Sequence, residues 1–140
     1  MFPGVDMEPR AFADRIAKNA HDIPRIRFRL RSALVVPETS VARFHVFLIP
    51  DEGFGAILRL HEALHEGPIE AAIRPESPYL PHITVATSAD RTQARKVAQA
   101  LNQGGLDISG HIETLTVERR HGEVIKEIAE IPLARHGWFG

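Results

Sequence analysis

Cysteine is absent from this chain of 140 residues, which excludes disulfide bridges, thiolate-bound zinc and a cysteine nucleophile. Long apolar runs are also absent, because runs of four residues such as 33–36 are far too short to cross a membrane. The first residues have neither the basic nor the apolar region of a secretory signal, so we expect a cytoplasmic protein with no membrane partner. No charge dominates, since 17 Lys and Arg face 18 Asp and Glu. Strong overall attraction to nucleic acid is therefore not expected, although a local basic patch is compatible with this balance.

The remaining composition, 44% apolar and 25% charged, is typical of a globular protein, and the length predicts a single domain over residues 1–140. Hydrophobic periodicity predicts the order α-β-β-α-β-α-β-β. Alternating hairpins and helices favour the α+β class with antiparallel sheets. A strand precedes the second α-β-β block but not the first, so we expect the domain to lack a first strand at its N-terminus. Three helices are predicted: the first spans 8–22, the second begins within 50–53 and ends at Gly67 and Pro68, and the third spans 92–101 with Ser88 or Asp90 as its cap. The predicted strands are 25–36, 41–49, 82–86, 106–118 and 123–133.

Four arginines alternate with apolar residues in the predicted strand: Arg25, Arg27, Arg29 and Arg31. Because side chains alternate along a strand, the arginines lie on one face at intervals of about 6.6 Å. This face is a candidate track for the phosphates of a nucleic acid. The alternative is a solvated face that protects the edge of a sheet.

A histidine and a threonine, His82 and Thr84, lie two residues apart on another predicted strand and so point to the same side. An imidazole and a hydroxyl together can move a proton and hold a phosphate oxygen. With 8 histidines in the chain, such a triplet also arises readily by chance. The alternative is an exposed strand histidine with no catalytic role.

The stretch that contains this pair, Tyr-Leu-Pro-His-Ile-Thr-Val-Ala at 79–86, resembles the second signature of the 2H phosphoesterase superfamily, in particular of the bacterial 2'-5' RNA ligase-like proteins. Segments 44–49, 60–64, 92–101, 112–119 and 128–133 resemble that family as well. The resemblance implies two pseudo-symmetric α-β-β lobes around a cleft that receives two H-x-[ST] motifs. It implies action on cyclic or 2'-5' phosphodiesters of RNA or nucleotides, without metal or other cofactor. By the same resemblance, His82 is the general base and Thr84 holds the phosphate.

The first motif that this resemblance leads us to expect, before Phe2-Pro3-Gly4, is not in the sequence, and neither His21 nor His45 begins an H-x-[ST] triplet. Three explanations stay open. The start codon can be assigned too far downstream, so that the protein itself has the first motif. Alternatively, two chains can share their sites as a homodimer, or the protein can be a non-catalytic nucleotide- or RNA-binding module. One histidine cannot be acid and base in the same transition state, so the isolated chain is expected to be slow or inert.

A second histidine motif, His61-Glu62-Ala63-Leu64-His65, matches the H-E-x-x-H pattern of zinc hydrolases. On a helix both imidazoles lie on one side, with Glu62 as the general base. However, Gly67 and Pro68 end the helix at once, and no further ligand follows at a suitable spacing. We therefore interpret the stretch as an ordinary surface segment and keep a zinc hydrolase as the distant alternative.

Overall fold

Three helices and seven strands make up the part of the chain that the computed structural model describes, residues 7–67, 69 and 78–139, with side chains except at 136–139. Their interleaved order confirms the predicted α+β class. Phe2-Pro3-Gly4 and Pro68 lie outside the described residues. In chain order the elements are α1 (Pro9–Asn19), β1 (Pro24–Pro37), β2 (Phe44–Pro50), α2 (Phe54–Leu64), β3 (Ile83–Ser88), α3 (Arg91–Gln103), β4 (Ile108–Ile112), β5 (Thr114–His121), β6 (Val124–Pro132) and β7 (Ala134–Phe139).

Acidic side chains cap two of the helices. The Glu8 carboxylate accepts the backbone N–H groups of Arg10 and Ala11, both at 3.0 Å, and these bonds hold the pKa of Glu8 below its ordinary value of 4.5. Asp90 accepts the backbone N–H of Thr92 at 2.8 Å, so of the two predicted caps of α3 it is Asp90 that starts the helix. None of the helices in the described ranges has the length and apolar character needed to cross a lipid bilayer.

The larger sheet has the strand order β3-β2-β1-β4, with β7 also beside β1. The pair β1–β2 is antiparallel, as the predicted hairpin requires, and the pair β2–β3, whose strands are connected through α2, is antiparallel too. The pair β1–β7 is parallel and was not expected, because the tail carries no alternating pattern that would predict a strand. The sheet is therefore mixed rather than purely antiparallel.

The predicted strand 106–118 is wrong as a single element. It divides at Glu113 into β4, which belongs to the larger sheet, and β5, which forms a separate antiparallel ribbon with β6. The break carries no Gly or Pro to signal it, and the Glu113 carbonyl accepts the backbone N–H of Leu133 at 2.8 Å instead. The ribbon turns at Gly122, whose φ of +59° favours glycine.

The chain divides into two compact units, which we name by their contents. The hairpin unit comprises the described residues within 1–26, 55–79 and 111–139, and the sheet unit those within 27–54 and 80–110. In the sheet unit, the small side chains of Ala94 and Ala98 on α3 pack against Leu30, Val46 and Leu48 of the strands. In the hairpin unit, two apolar clusters join α1 and α2 to the ribbon and the strand ends.

Candidate active site

His82 and Thr84 share one face of the sheet unit at its terminal described strand, β3. The register places Thr84 directly opposite Phe47 on β2, and side chains at opposite positions of an antiparallel pair lie on the same face. The His82 ring stacks on the Phe47 ring, with 3.7 Å between ring centres and 13° between planes. The imidazole and the hydroxyl are both exposed, so both are accessible to a ligand.

A backbone hydrogen bond fixes the tautomer of His82. Its Nδ1 lies 2.6 Å from the carbonyl oxygen of Leu80. A carbonyl oxygen only accepts hydrogen bonds, so Nδ1 carries the proton and Nε2 presents a lone pair. Stacking on Phe47 holds the ring plane, and none of the described residues forms a hydrogen bond with Nε2. The ring is thus oriented with a basic nitrogen open to solvent, as a general base requires.

A β-bulge at Val85 brings a second threonine to this face. Val46 pairs with Ala86, but the next residue, Phe47, pairs with Thr84, so Val85 is an extra residue on β3. Without the bulge, Thr84 and Thr87 would point to opposite faces, because they are three positions apart and side chains alternate along a strand. With it, Thr87 lies opposite His45 on the face that carries Thr84.

His45 bridges a hydroxyl and a carboxylate on the same face. Its Nδ1 is 2.9 Å from Oγ1 of Thr87, and its Nε2 is 3.2 Å from Oε2 of Glu38. The His45 ring also lies parallel to Phe47, with 5.8 Å between centres and 12° between planes. From the sequence, His45 was considered only as a first-motif histidine, and neither Phe47 nor Thr87 was predicted to belong to the site. The alternation of His45 and Phe47 on the neighbouring strand was the available signal, whereas nothing in the sequence marks the bulge.

The structure places the four arginines of β1 in different surroundings. Arg29 pairs with Asp107 through Nε at 3.1 Å, and Arg31 pairs with Asp51 through Nε at 2.8 Å. Each guanidinium holds the pKa of its partner carboxyl below the ordinary 3.8.

Arg25 belongs to the hairpin unit and donates to the Arg135 carbonyl at 3.2 Å, whereas Arg27 belongs to the sheet unit and is exposed. The carboxylates beside Arg29 and Arg31 neutralise much of the positive charge on this strand. The phosphate track therefore stays a prediction.

The H-E-x-x-H stretch packs its imidazoles against other rings. His61 stacks on Tyr79, with 3.9 Å between centres, and also touches the His65 ring at 4.2 Å. His65 is only 2% exposed, so the interpretation of this stretch as an ordinary surface segment is wrong for this residue, whose Nδ1 donates to the His61 carbonyl at 2.7 Å. Burial holds the pKa of His61 below 6.5 and that of Tyr79 above 10.0. In the part of the chain described, no three His, Asp or Glu side chains converge on a point where a metal ion could bind.

A cavity of about 500 Å³ lies elsewhere in the sheet unit, between the end of β1 and α3. Apolar side chains and the two arginines Arg91 and Arg95 are among the residues that line it. Neither His82 nor Thr84 lines it, so the candidate site is the exposed sheet face and not this cavity.

Comparison with protein families gives one match. A family model described as the 2'-5' RNA ligase superfamily matches residues 1–123, which include β3 and both residues of the H-x-T triplet. A comparison with curated proteins finds no match.

Proposed function

Because the chain belongs to the 2'-5' RNA ligase superfamily, we propose that it acts on a cyclic or 2'-5' phosphodiester of RNA or of a nucleotide. His82 and Thr84 form one half of the reaction centre. The two pseudo-symmetric lobes expected of this family belong to the proposal as well. No metal is assigned a role in it.

The orientation of His82 carries this proposal. The Leu80 carbonyl holds the proton on Nδ1, so Nε2 can take a proton from the attacking water or ribose hydroxyl. The freed oxygen attacks phosphorus, the bond from phosphorus to the leaving ribose oxygen breaks, and that oxygen takes up a proton. Thr84 donates its hydroxyl hydrogen to a phosphoryl oxygen and so holds the phosphate beside His82.

The leaving oxygen needs a proton from a second group. The family resemblance assigns this step to the histidine of another H-x-[ST] motif, and this sequence contains a single such triplet. A longer product of the gene or a partner chain would supply the second motif. If neither does, the alternative is a non-catalytic nucleotide- or RNA-binding module on the same fold.

Turnover of a 2',3'-cyclic nucleotide tests the proposal. His82→Ala is expected to lower the rate by about 10²- to 10⁴-fold, the usual contribution of a positioned general base. Thr84→Val keeps the shape but removes the hydroxyl, and a smaller loss is expected. His121→Ala, at an exposed position on the ribbon, is the matched control and is expected to have no effect.

Unchanged turnover in His82→Ala would remove this residue from the mechanism. Wild-type protein that binds the nucleotide without turning it over would fit both a chain that lacks its second motif and the non-catalytic module, and turnover that appears when a second motif is supplied would exclude the latter. Where binding occurs without turnover, the same His82 and Thr84 variants are compared for affinity instead of rate.

A further inference from the structure

A second imidazole–hydroxyl pair lies beside His82 and Thr84. It consists of His45 and Thr87, joined by the 2.9 Å contact between Nδ1 and Oγ1. Glu38 approaches the other ring nitrogen of His45 at 3.2 Å, and Arg43 lies 3.8 Å from the same carboxylate oxygen. Thr87 is exposed, whereas the His45 side chain retains only 23% of its accessible surface. The hydroxyl is therefore the part of the pair that meets solvent.

The Glu38 carboxylate determines how this pair can bond. A carboxylate accepts hydrogen bonds, so Nε2 of His45 donates to Glu38. When His45 is neutral, its Nδ1 accepts the hydroxyl hydrogen of Thr87. When His45 carries both protons, Nδ1 donates to Oγ1, and the hydroxyl hydrogen of Thr87 becomes available to an outside acceptor. An anion above Thr87 can therefore accept this hydroxyl hydrogen only in the second arrangement, and Arg43 is the described cation beside the pair.

Both pairs face the same side of the sheet at close spacing. Because of the bulge at Val85, Thr84 pairs with Phe47 and Thr87 pairs with His45. Phe47 and His45 are two residues apart on β2, which corresponds to about 6.6 Å along a strand. The Phe47 ring stacks with both imidazoles, with 3.7 Å to the centre of the His82 ring and 5.8 Å to that of His45. One extended ligand can therefore reach both hydroxyls.

We propose that Thr87 and His45 form a second phosphate subsite, and that the substrate is an oligonucleotide with a phosphate next to the reacting one. This inference rests on the proposed function, because it assigns the reacting phosphate to His82 and Thr84. In the bound state Thr87 donates its hydroxyl hydrogen to the neighbouring phosphate. His45 is a positioning residue whose Nδ1 is hydrogen-bonded to the Thr87 hydroxyl, and Glu38 orients the imidazole by accepting the hydrogen bond of its Nε2.

Binding of two ligands to the full chain, measured by calorimetry, tests the second subsite without relying on turnover. The ligands are 3'-AMP, with one phosphate, and the dinucleotide ApAp, with two. Wild-type protein is expected to bind ApAp more tightly. Thr87→Val is expected to weaken ApAp binding by about tenfold or more, as for the loss of a hydrogen bond to a charged group, and to leave 3'-AMP binding unchanged.

Two further variants separate this role from a structural one. Thr87→Ser keeps the hydroxyl and is expected to retain the affinity for ApAp. His45→Gln is expected to weaken ApAp binding selectively, since the supporting imidazole is lost. Thr116→Val, on an exposed position of β5, is the matched control and is expected to change neither affinity.

The outcomes distinguish the two proposals. If His82→Ala and Thr84→Val weaken 3'-AMP binding while Thr87→Val affects both ligands equally or neither, the second subsite is wrong and the first stands. If 3'-AMP binding is unchanged in His82→Ala and Thr84→Val, the proposed function is wrong, and the subsite that rests on it is overturned as well. Failure of wild-type protein to bind either ligand would overturn both.

Discussion

Among the described residues, two groups of contacting rings contain two histidines and one other aromatic residue each. The face cluster (His45, Phe47 and His82) lies on the sheet unit, and the helix cluster (His61, His65 and Tyr79) lies in the hairpin unit. Both were reached through short histidine motifs in the sequence. The H-E-x-x-H motif is longer and rarer by chance than H-x-T, yet its histidines are the less exposed ones.

The difference lies in where the ring nitrogens point. In the helix cluster, His65 is 2% exposed and bonded to a helix carbonyl, and burial favours the neutral form of His61. In the face cluster, a carbonyl takes the Nδ1 proton of His82 and leaves Nε2 open at an exposed surface. A motif therefore indicates chemistry only when the fold leaves a lone pair both oriented and accessible.

Replacement of His82 by phenylalanine should have the largest effect and would isolate the role of the ring nitrogens. Phenylalanine can still stack on Phe47, so the packing of the face cluster is kept while the base is lost. We expect turnover of a 2',3'-cyclic nucleotide to fall by about 10²- to 10⁴-fold and the urea midpoint of unfolding to stay unchanged. A variant that keeps its rate would show that stacking, and not proton transfer, is what the face cluster supplies.

The same substitution in the helix cluster, His65→Phe, should show the opposite behaviour. It removes the donor to the His61 carbonyl from a buried position, which is expected to cost about 1–3 kcal/mol of unfolding free energy. The rate per folded molecule should not change, because His65 belongs to the other unit. Urea denaturation followed by circular dichroism measures the first quantity. A loss of turnover with normal stability would instead favour the zinc hydrolase alternative.

Much of the fold was predictable because local signals and tertiary packing agree. The alternation of residues 25–31 indicates a strand, and the pairing of Asp90 with the first turn of α3 indicates where that helix begins. The division at Glu113 and the parallel pairing of β7 were not predictable. Both depend on hydrogen bonds between backbone groups that are distant in sequence. The N–H of Leu133 donates to the Glu113 carbonyl, and the N–H of Ala134 donates to the Ile23 carbonyl.

The candidate site divides in the same way. That His82 and Thr84 share a face follows from the two-residue period of a strand, so the sequence suffices for it. Phe47 and Thr87 join them only through the β2–β3 register and the bulge at Val85. A valine carries no signal for a bulge, and a one-residue shift in register would have turned Thr87 away from this face.

The pH dependence of stability should give the smallest effect and would sharpen the contrast between the clusters. Burial, and then the neighbouring His65, lower the pKa of His61, with Glu62 opposing and Tyr79 stacked on the ring. Between the lowered pKa and the ordinary 6.5, the unfolded chain binds more protons than the folded chain, so stability rises with pH in this window and falls as the pH drops through it.

Urea midpoints measured from pH 8 to pH 5 should therefore decrease below about pH 6.5, the ordinary value for histidine. His61→Gln should remove this decrease, whereas His121→Gln, at an exposed position, should retain it. The carboxyl groups with lowered pKa, Glu8, Asp51 and Asp107, lose their contribution only below their ordinary values of 4.5 and 3.8, so they do not obscure the window. A midpoint that rises on acidification would mean that the imidazole of His61 is stabilised in its charged form, and the helix cluster would then have to be regarded as a proton-binding site.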